Sequence, residues 1–534
     1  MKPFSVARAI VLTLIAIPAS YPEITHDLPA SVFVDKCKGA WAGQMIGVCY
    51  GAPYEFRSNG EPITDDLQPW SPERVAGAIG QDDCYVEMTF LKALEDYGLD
   101  ITYAEAGKAF ADTQYPLWHA NLYGRENCRR GILPPLSGHP DFNRHADDID
   151  FQIEADLFGI VSPGLPRESN RMCGIFGRIM NYGDGLYGGM FVAGMYSAAY
   201  LRDADEIPAI IDEGLACIPS ESEYYRCISD VVAWHRENPG DWMATWQRIE
   251  DKWQDDVDCM RGNDFNIDAK LNGAYIVMGL LYGEGDPVKT MEIGTRCGQD
   301  ADCNPSNAMG VLGCAMGYEG LGEALTGGIA AMRDENFSHT DYSFDTLIPA
   351  CQTIAESIVR RAGGTIAGDT YTIPIQSPQP PDTLEQWVHQ VEALDEALPQ
   401  NVVDLWNPAW RVIACGHDMD PGLRSQEFGR ESVLVLHPVN EQTPAAIVGS
   451  FSIPGGGSPR LAIETTSHPR GDYLLRVFIN EELKLERVIE SKGEWTNVKV
   501  DLMPYTGKGI DVRIENAANG WSFEAAYLAR IAIE

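Results

Sequence analysis

G-Q-D-D-C-Y-V-E-M-T-F-L-K-A-L-E-D-Y, residues 80 to 97, carries two signals in one stretch. Beyond Asp82-Asp83 the apolar residues recur at spacings of three and four, so Val86, Phe90, Leu94 and Tyr97 share one face of a helix. The same period returns in residues 186 to 217, 270 to 282 and 307 to 325, with enough Gly and Ala to let helices approach closely. Alternation of period two is scarce from about residue 31 to 362. The pattern predicts a large all-α domain over 31–362.

The second signal is the acidic pair at the start of that helix. It is matched by C-G-Q-D-A-D-C-N, residues 297 to 304, where Asp300 and Asp302 stand one residue apart between Cys297 and Cys303. Aspartates ahead of a helix often serve as caps for free N–H groups and complement the helix dipole. Asp302 before Asn304-Pro305 fits that role, as do Asp82 and Asp83. The other reading joins the two clusters. Four carboxylates converging at helix starts repel one another unless cations neutralise them, and an all-oxygen ligand set selects Mg²⁺, Mn²⁺ or Ca²⁺ over zinc.

At 534 residues the chain is long enough for two to four domains. Residues 363–400, with a Gly-Thr-rich opening and the cluster Q-S-P-Q-P-P-D, read as a linker, followed by a short acidic helix around Leu384 to Ala397. From 401 to 534 the period falls to two in runs such as S-V-L-V-L-H-P-V, Y-L-L-R-V-F-I-N and I-D-V-R-I-E-N, separated by Gly, Pro and Asn turns. That spacing predicts an antiparallel, jelly-roll-like β-sandwich. The fold class is therefore multidomain, an all-α domain followed by a sandwich. Trp495 and Trp521 in the sandwich serve equally well as binding platforms or as packing residues.

A net charge of −38 argues against nucleic acid and anionic membrane surfaces as partners, because both repel such a chain. Residues 1–20 read as an export signal: Lys2 and Arg8, then the apolar run Ala9 to Ile17, then Pro18-Ala19-Ser20. The run is too short to span a bilayer, so the expected location is secreted or periplasmic, without a membrane anchor. The 13 cysteines are odd in number and contain no C-x-x-C pair. Most sit in apolar, small-residue segments and read as buried hydrophobes, not as a disulfide framework.

Three segments taken together resemble the ADP-ribosylglycohydrolase family. D-K-C-K-G-A-W-A-G-Q-M-I-G-V-C-Y-G-A-P-Y-E-F (35–56) is similar to its Gly-rich opening helix. G-Q-D-D-C stands where the family has Thr-Asp-Asp-Thr. G-Q-D-A-D-C-N, followed by A-M-G-V-L-G-C-A-M-G-Y-E-G-L, is similar to its Gly-Gly-Asp-x-Asp-Thr and the small-residue helix after it. The resemblance implies an all-α fold and a binuclear Mg²⁺ centre held by Asp82, Asp83, Asp300 and Asp302. It also implies that Glu55 lies beside the metals as a candidate for handling water, a role open to Asp82 and Asp83 as well. Gln81 and Cys303 occupy positions where the family has ligating threonines. Gln81 still offers a carbonyl oxygen; a thiol is a poor Mg²⁺ ligand, and Asn304 or water is the natural substitute.

The middle of the chain departs from the family. Where its members have Gly-Asn-Gly-x-x-Met-Arg-x-x-Pro, this chain has A-D-D-I-D-F-Q-I-E-A-D-L-F-G-I-V-S-P-G (146–164), with Glu154 near the arginine position and Asp150 and Asp156 close by. Carboxylates there disfavour a pyrophosphate and suit a neutral, hydroxyl-rich ligand, unless the stretch is a solvated loop. Trp118, His119, Asn121, Arg125 and Asn127 supply aromatic and amide groups suited to a sugar or base, or to ordinary packing. The reading is a Mg²⁺-dependent hydrolase of an N- or O-glycosidic bond in a neutral sugar or nucleoside. ADP-ribosyl hydrolase activity and a non-catalytic carbohydrate-binding protein are the alternatives.

Overall fold

The computed structural model describes residues 24–254, 265–386, 403, 406–416, 418–419 and 421–534. The export signal and most of the short acidic helix lie outside the described residues. Among the described residues no helix is long and apolar enough to cross a membrane.

The helical part is organised around one helix pair. The helix Ala30–Gly51 is buried along most of its length. It packs along Cys303–Met316 with glycines at every fourth position, Gly39, Gly43, Gly47 and Gly51. A Cβ at Gly47 would stand 2.2 Å from the Pro305 carbonyl oxygen, and one at Gly51 would stand 2.0 Å from that of Ala301. These backbones touch because no side chain intervenes. The contact brings the end of the first helix, and Glu55 just after it, against the Asp300–Asp302 turn. Around this pair lie Asp82–Tyr97, Asp184–Ala199 and Ala269–Gly283, the last two buried on all sides as their even apolar content requires. On Asp82–Tyr97 the residues Val86, Phe90 and Leu94 are buried as the spacing predicts, while Tyr97 at the helix end is 40% exposed.

Two regions outside the helices close the domain. Strand β1 (Thr25–Pro29) pairs antiparallel with β3 (Thr370–Pro374), which pairs with β2 (Thr365–Ala367). The opening of the 363–400 segment is thus a hairpin clipped to the chain's beginning. The proline-rich stretch then follows the helical surface, with the Ser377 and Gln379 carbonyls accepting from Arg167 and Asn170.

The C-terminal part is an antiparallel sandwich. One sheet has the order β10 (Glu482–Ile489), β9 (Tyr473–Ile479), β12 (Gly509–Ala517), β7 (Ala445–Ser452), β4 (Arg411–Ala414). The other runs β11 (Thr496–Asp501), β8 (Arg460–Ser467), β13 (Ala526–Ile533), β6 (Arg430–Leu436), β5 (Gly422–Glu427). Strict in-out alternation, as along Tyr473–Ile479, places Tyr473, Leu475, Val477 and Ile479 in the core between the sheets. Trp495 donates to the Phe428 carbonyl beneath Arg430 and packs. Trp521 is 38% exposed, with His437 edge-on to its ring. Eleven of the twelve described cysteines are buried, and all twelve are free thiols.

Candidate metal and glycoside site

Asp82 and Asp83 open the helix Asp82–Tyr97 and Asp302 precedes Cys303–Met316, yet neither N-cap residue, Gln81 or Asp302, makes a side-chain cap hydrogen bond. The two Gly-Gln-Asp openings are not structural copies. Gly80 has open space around it. Gly298, at φ +85°, faces the Ser58 carbonyl so closely that a Cβ would stand 2.4 Å from it. The turn after Gly298 is pinned on both sides. Gln299 donates its N–H to Ser58, accepts from the Phe56 N–H and takes the Asn266 N–H on its side chain.

Asp83, Asp300 and Asp302 are all buried, and each presents an Oδ1 atom that no group in the described structure hydrogen-bonds. The Cys303 thiol donates to the other oxygen of Asp83, 3.4 Å away. Burial, then the charges of Asp302 and Asp82, push Asp83 well above the usual carboxylate range. Burial and Asp302 do the same to Asp300. Asp302 is raised to about 6, first by burial. Glu55 sits on the exposed turn after the first helix, and packing around its carboxyl, with Asp302 and then Asp82, lifts it to about 7. Orphaned, mutually repelling carboxylate oxygens fit hard divalent cations, so Asp82, Asp83, Asp300 and Asp302 fit a Mg²⁺ centre.

Cys303 turns its other side to an apolar cluster of Ile149, Ile153 and Ile267, with Phe56 and Phe265 packed against it. A Cys303→Thr variant is expected to bind Mg²⁺ as well as the native protein or better, since a hydroxyl keeps the bond to Asp83 and adds a hard oxygen. Calorimetric titration checks it, and a large loss of affinity would mean that the sulfur matters.

The acidic middle segment is not a solvated loop. Asp150 lies buried beneath the helix His119–Arg129 and accepts from its Asn121 and Ala120 N–H groups at 2.9 and 3.3 Å. It thereby caps that helix from outside. Asn121 donates its side chain to Glu154, whose other oxygen has no partner among the described residues. Burial and Asp150 hold Glu154 well above its ordinary value, with Asp82 and Asp83 adding to the shift. Trp118, 55% exposed, is the N-cap residue just before His119. So Asn121, Asp150, Glu154 and His119 do come together, next to the aspartates.

Two expectations fail. Arg125 donates to the Tyr115 carbonyl, and Asn127 to the carbonyls of Ser137 and Phe142, so both hold loops. Asp156 lies below the site, where Tyr196, Asn307 and Gln44 donate to it and Gln44 also bonds Glu87. That buried network tethers the Asp83 carbonyl through Gln44. It escaped the sequence reading because isolated polar residues inside helical runs carry no periodic signal; His145 and Asp148, in the non-helical stretch before the helix Asp150–Glu154, escaped it too.

The sequence model of the ADP-ribosylglycohydrolase family matches residues 29–361, more than half of the chain. The chain belongs to the ADP-ribosylglycohydrolase family. Membership supports a glycohydrolase-type function acting on a small molecule, in a family that typically uses divalent metals. Among solved structures, an ADP-ribosylglycohydrolase-related protein complex aligns at 14% identity over 62% of this chain and 99% of its own, with a TM-score of 0.36. A family GH115 4-O-methyl-α-glucuronidase aligns at 10% identity over 70% of this chain and 42% of its own, with a TM-score of 0.18. The secreted serine protease VesC from Vibrio cholerae aligns at 13% identity over 25% and 26%, with a TM-score of 0.17. No curated protein matches the chain.

Without a bound cation, the carboxylate cluster is expected to make this ADP-ribosylglycohydrolase family member sensitive to pH. The folded Asp302 titrates at about 6, above an unfolded value of about 3.9. Its contribution to stability is full below that lower value and is lost as pH rises through about 6. Asp83 and Asp300 shift in the same direction. Cations that bind only the folded state reverse the effect. The Tm difference between Mg²⁺-loaded and chelator-treated protein is therefore expected to widen from about pH 4 to about pH 7, and a constant difference would contradict the cluster's role.

Proposed function

We propose that the protein is an exported, metal-dependent hydrolase that cleaves the N- or O-glycosidic bond of a neutral sugar or nucleoside. The observation that carries this reading is the set of three buried carboxylate oxygens, on Asp83, Asp300 and Asp302, without a hydrogen-bond partner among the described residues. Together with Asp82 they would hold one or two Mg²⁺ ions; Mn²⁺ fits the same donors. Such ions, when bound, orient vicinal sugar hydroxyls and make a bound water more acidic. Glu55, whose carboxyl lies within reach of the charges of Asp302 and Asp82, takes the proton of the attacking water. Cleavage at an anomeric carbon passes through an oxocarbenium-like state.

Asn121, Asp150 and Glu154 form the polar side of the sugar pocket, and Phe56, Phe265 and Trp118 its apolar side. Carboxyl groups at this wall hydrogen-bond sugar hydroxyls and offer a pyrophosphate no cationic partner. We place the catalytic domain at 31–362 and treat the sandwich at 401–534 as an accessory domain. Family membership favours a second reading, hydrolysis of ADP-ribose from a modified protein. Turnover assays in Mg²⁺ on glycosides, nucleosides and ADP-ribosylated protein, each with a chelator control, separate the two. Chelator-sensitive release of sugar from a neutral compound supports the proposal; release from ADP-ribosylated protein alone overturns its substrate class, and turnover that survives chelation overturns its metal.

A further inference from the structure

His119 and Asp148 form a pair that the metal chemistry does not use. Asp148 is fully buried, and its Oδ2 accepts from His145 Nδ1 at 2.8 Å. His119 Nδ1 lies 3.0 Å from the same oxygen, as an ion-pair contact and not a linear hydrogen bond. The two imidazoles stand edge to face, with centroids 5.1 Å apart and planes at 89°. Burial raises the Asp148 carboxyl, but His145 and then His119 outweigh it and hold the group below its ordinary value, as a carboxylate.

His119 is the open member of the group, with 29% of its side chain exposed. Its other face stacks on Phe265 at 6.2 Å, and Phe265 in turn meets Phe56, the neighbour of Glu55, at 4.9 Å. One phenyl ring therefore separates the imidazole from the Glu55 turn. The backbone of His119 is held at φ +42° where its helix begins, with Asp150 fastening the N–H groups of the next two residues. A left-handed conformation at a non-glycine residue persists only where surroundings enforce it, and such residues gather at functional sites.

We propose that His119 is the catalytic acid that protonates the leaving group, and that Asp148 is the positioning residue that orients it; the assignment rests on the hydrolase reading above. His119 Nδ1 stands 3.0 Å from the buried Asp148 carboxylate, whose charge favours a proton on the near nitrogen and stabilises the imidazolium; Nε2 is the nitrogen assigned to the leaving group. Among the described residues, the other titratable groups near the ring are His145, edge-on at 5.1 Å, and Asp150, which feels the imidazole's charge. In the step, the bond from the anomeric carbon to the leaving oxygen or nitrogen breaks and its electron pair goes to that atom. The atom takes the proton from His119 Nε2. The water oxygen bonds to the anomeric carbon, and the water's proton passes to Glu55. One water is consumed, and exchange with solvent returns both groups to their starting states.

A leaving group that needs a proton depends on this residue, and one that leaves as a stable anion does not. The full-length Mg²⁺-loaded protein and its H119Q variant are compared on paired 4-nitrophenyl and methyl glycosides of ribose, glucose and galactose. The expected loss in kcat/KM is about 10²- to 10⁴-fold on the methyl glycoside and about tenfold or less on its nitrophenyl partner. Equal losses on both would overturn the assignment. Wild-type protein that turns over none of these compounds would count against the hydrolase reading instead. The pair is then judged by ¹H–¹⁵N spectra of histidine-labelled protein. The expected signature is an Nδ1–H signal that H119Q deletes and D148N shifts; a His119 ring unprotonated at Nδ1, or one carrying a metal ion there, overturns the proposal.

Discussion

Replacing Asp302 by asparagine is expected to leave a folded protein that no longer holds divalent cations and has lost nearly all turnover. The side chain keeps its size, and the buried site loses a charge that burial already opposes, so folding does not suffer. The proposed metal centre loses one of four carboxylates, with Gln81 and the Cys303 thiol as the nearest substitutes in sequence. Several kcal/mol of transition-state stabilisation depend on a bound ion of this kind, which at about 1.4 kcal/mol per decade corresponds to a fall in kcat of about 10³-fold or more. Asp82→Asn is expected to behave in the same way. Circular dichroism establishes the fold and steady-state kinetics the loss; unchanged turnover in both variants would remove the metal from the mechanism.

The second large effect concerns stability. Gly47→Ala adds one methyl group where 2.2 Å separates the Cβ position from the Pro305 carbonyl oxygen. The neighbour is helix backbone and cannot rotate away, so the two helices must part along their length. Overpacking of this kind costs about 1–3 kcal/mol, and more where backbone shifts. The urea midpoint is expected to fall accordingly. Activity is expected to fall with it, since Asp300 and Asp302 lie on the turn at the end of the same contact. Gly80→Ala, with nothing within 4 Å of its Cβ position, is the control and is expected to change stability little. Equal midpoints for the two variants would contradict the close-packed pair.

Much of this architecture is legible in the sequence because burial leaves a period. Val86, Phe90 and Leu94 mark a helix, and the alternation along Tyr473–Ile479 marks a strand between two faces. The Gly-rich opening helix was legible only through the family resemblance, and the structure places its Gly39, Gly43, Gly47 and Gly51 at the helix contact. The acidic motifs were legible as chemistry because four carboxylates in two short runs need an explanation. What stayed hidden depends on long-range contact. The clip between Thr25–Pro29 and Thr370–Pro374 joins segments too short to show a pattern and too distant to suggest pairing. The capping of the His119 helix by Asp150 and the Gln44–Asp156 network arise from side chains that only the fold brings together. His145 and Asp148 lay within N-R-H-A-D-D-I-D, residues 143 to 150, a density of ligand-type residues that draws notice only once His119 is seen beside it.

The most direct test of the central claim is the metal content of the purified full-length chain, followed by calorimetric titration with Mg²⁺ and Mn²⁺. One or two ions per chain in the native protein, and none in the Asp302→Asn variant, are expected. No binding at millimolar metal would contradict the account, because the orphaned oxygens of Asp83, Asp300 and Asp302 would then be buried without a purpose this chemistry explains.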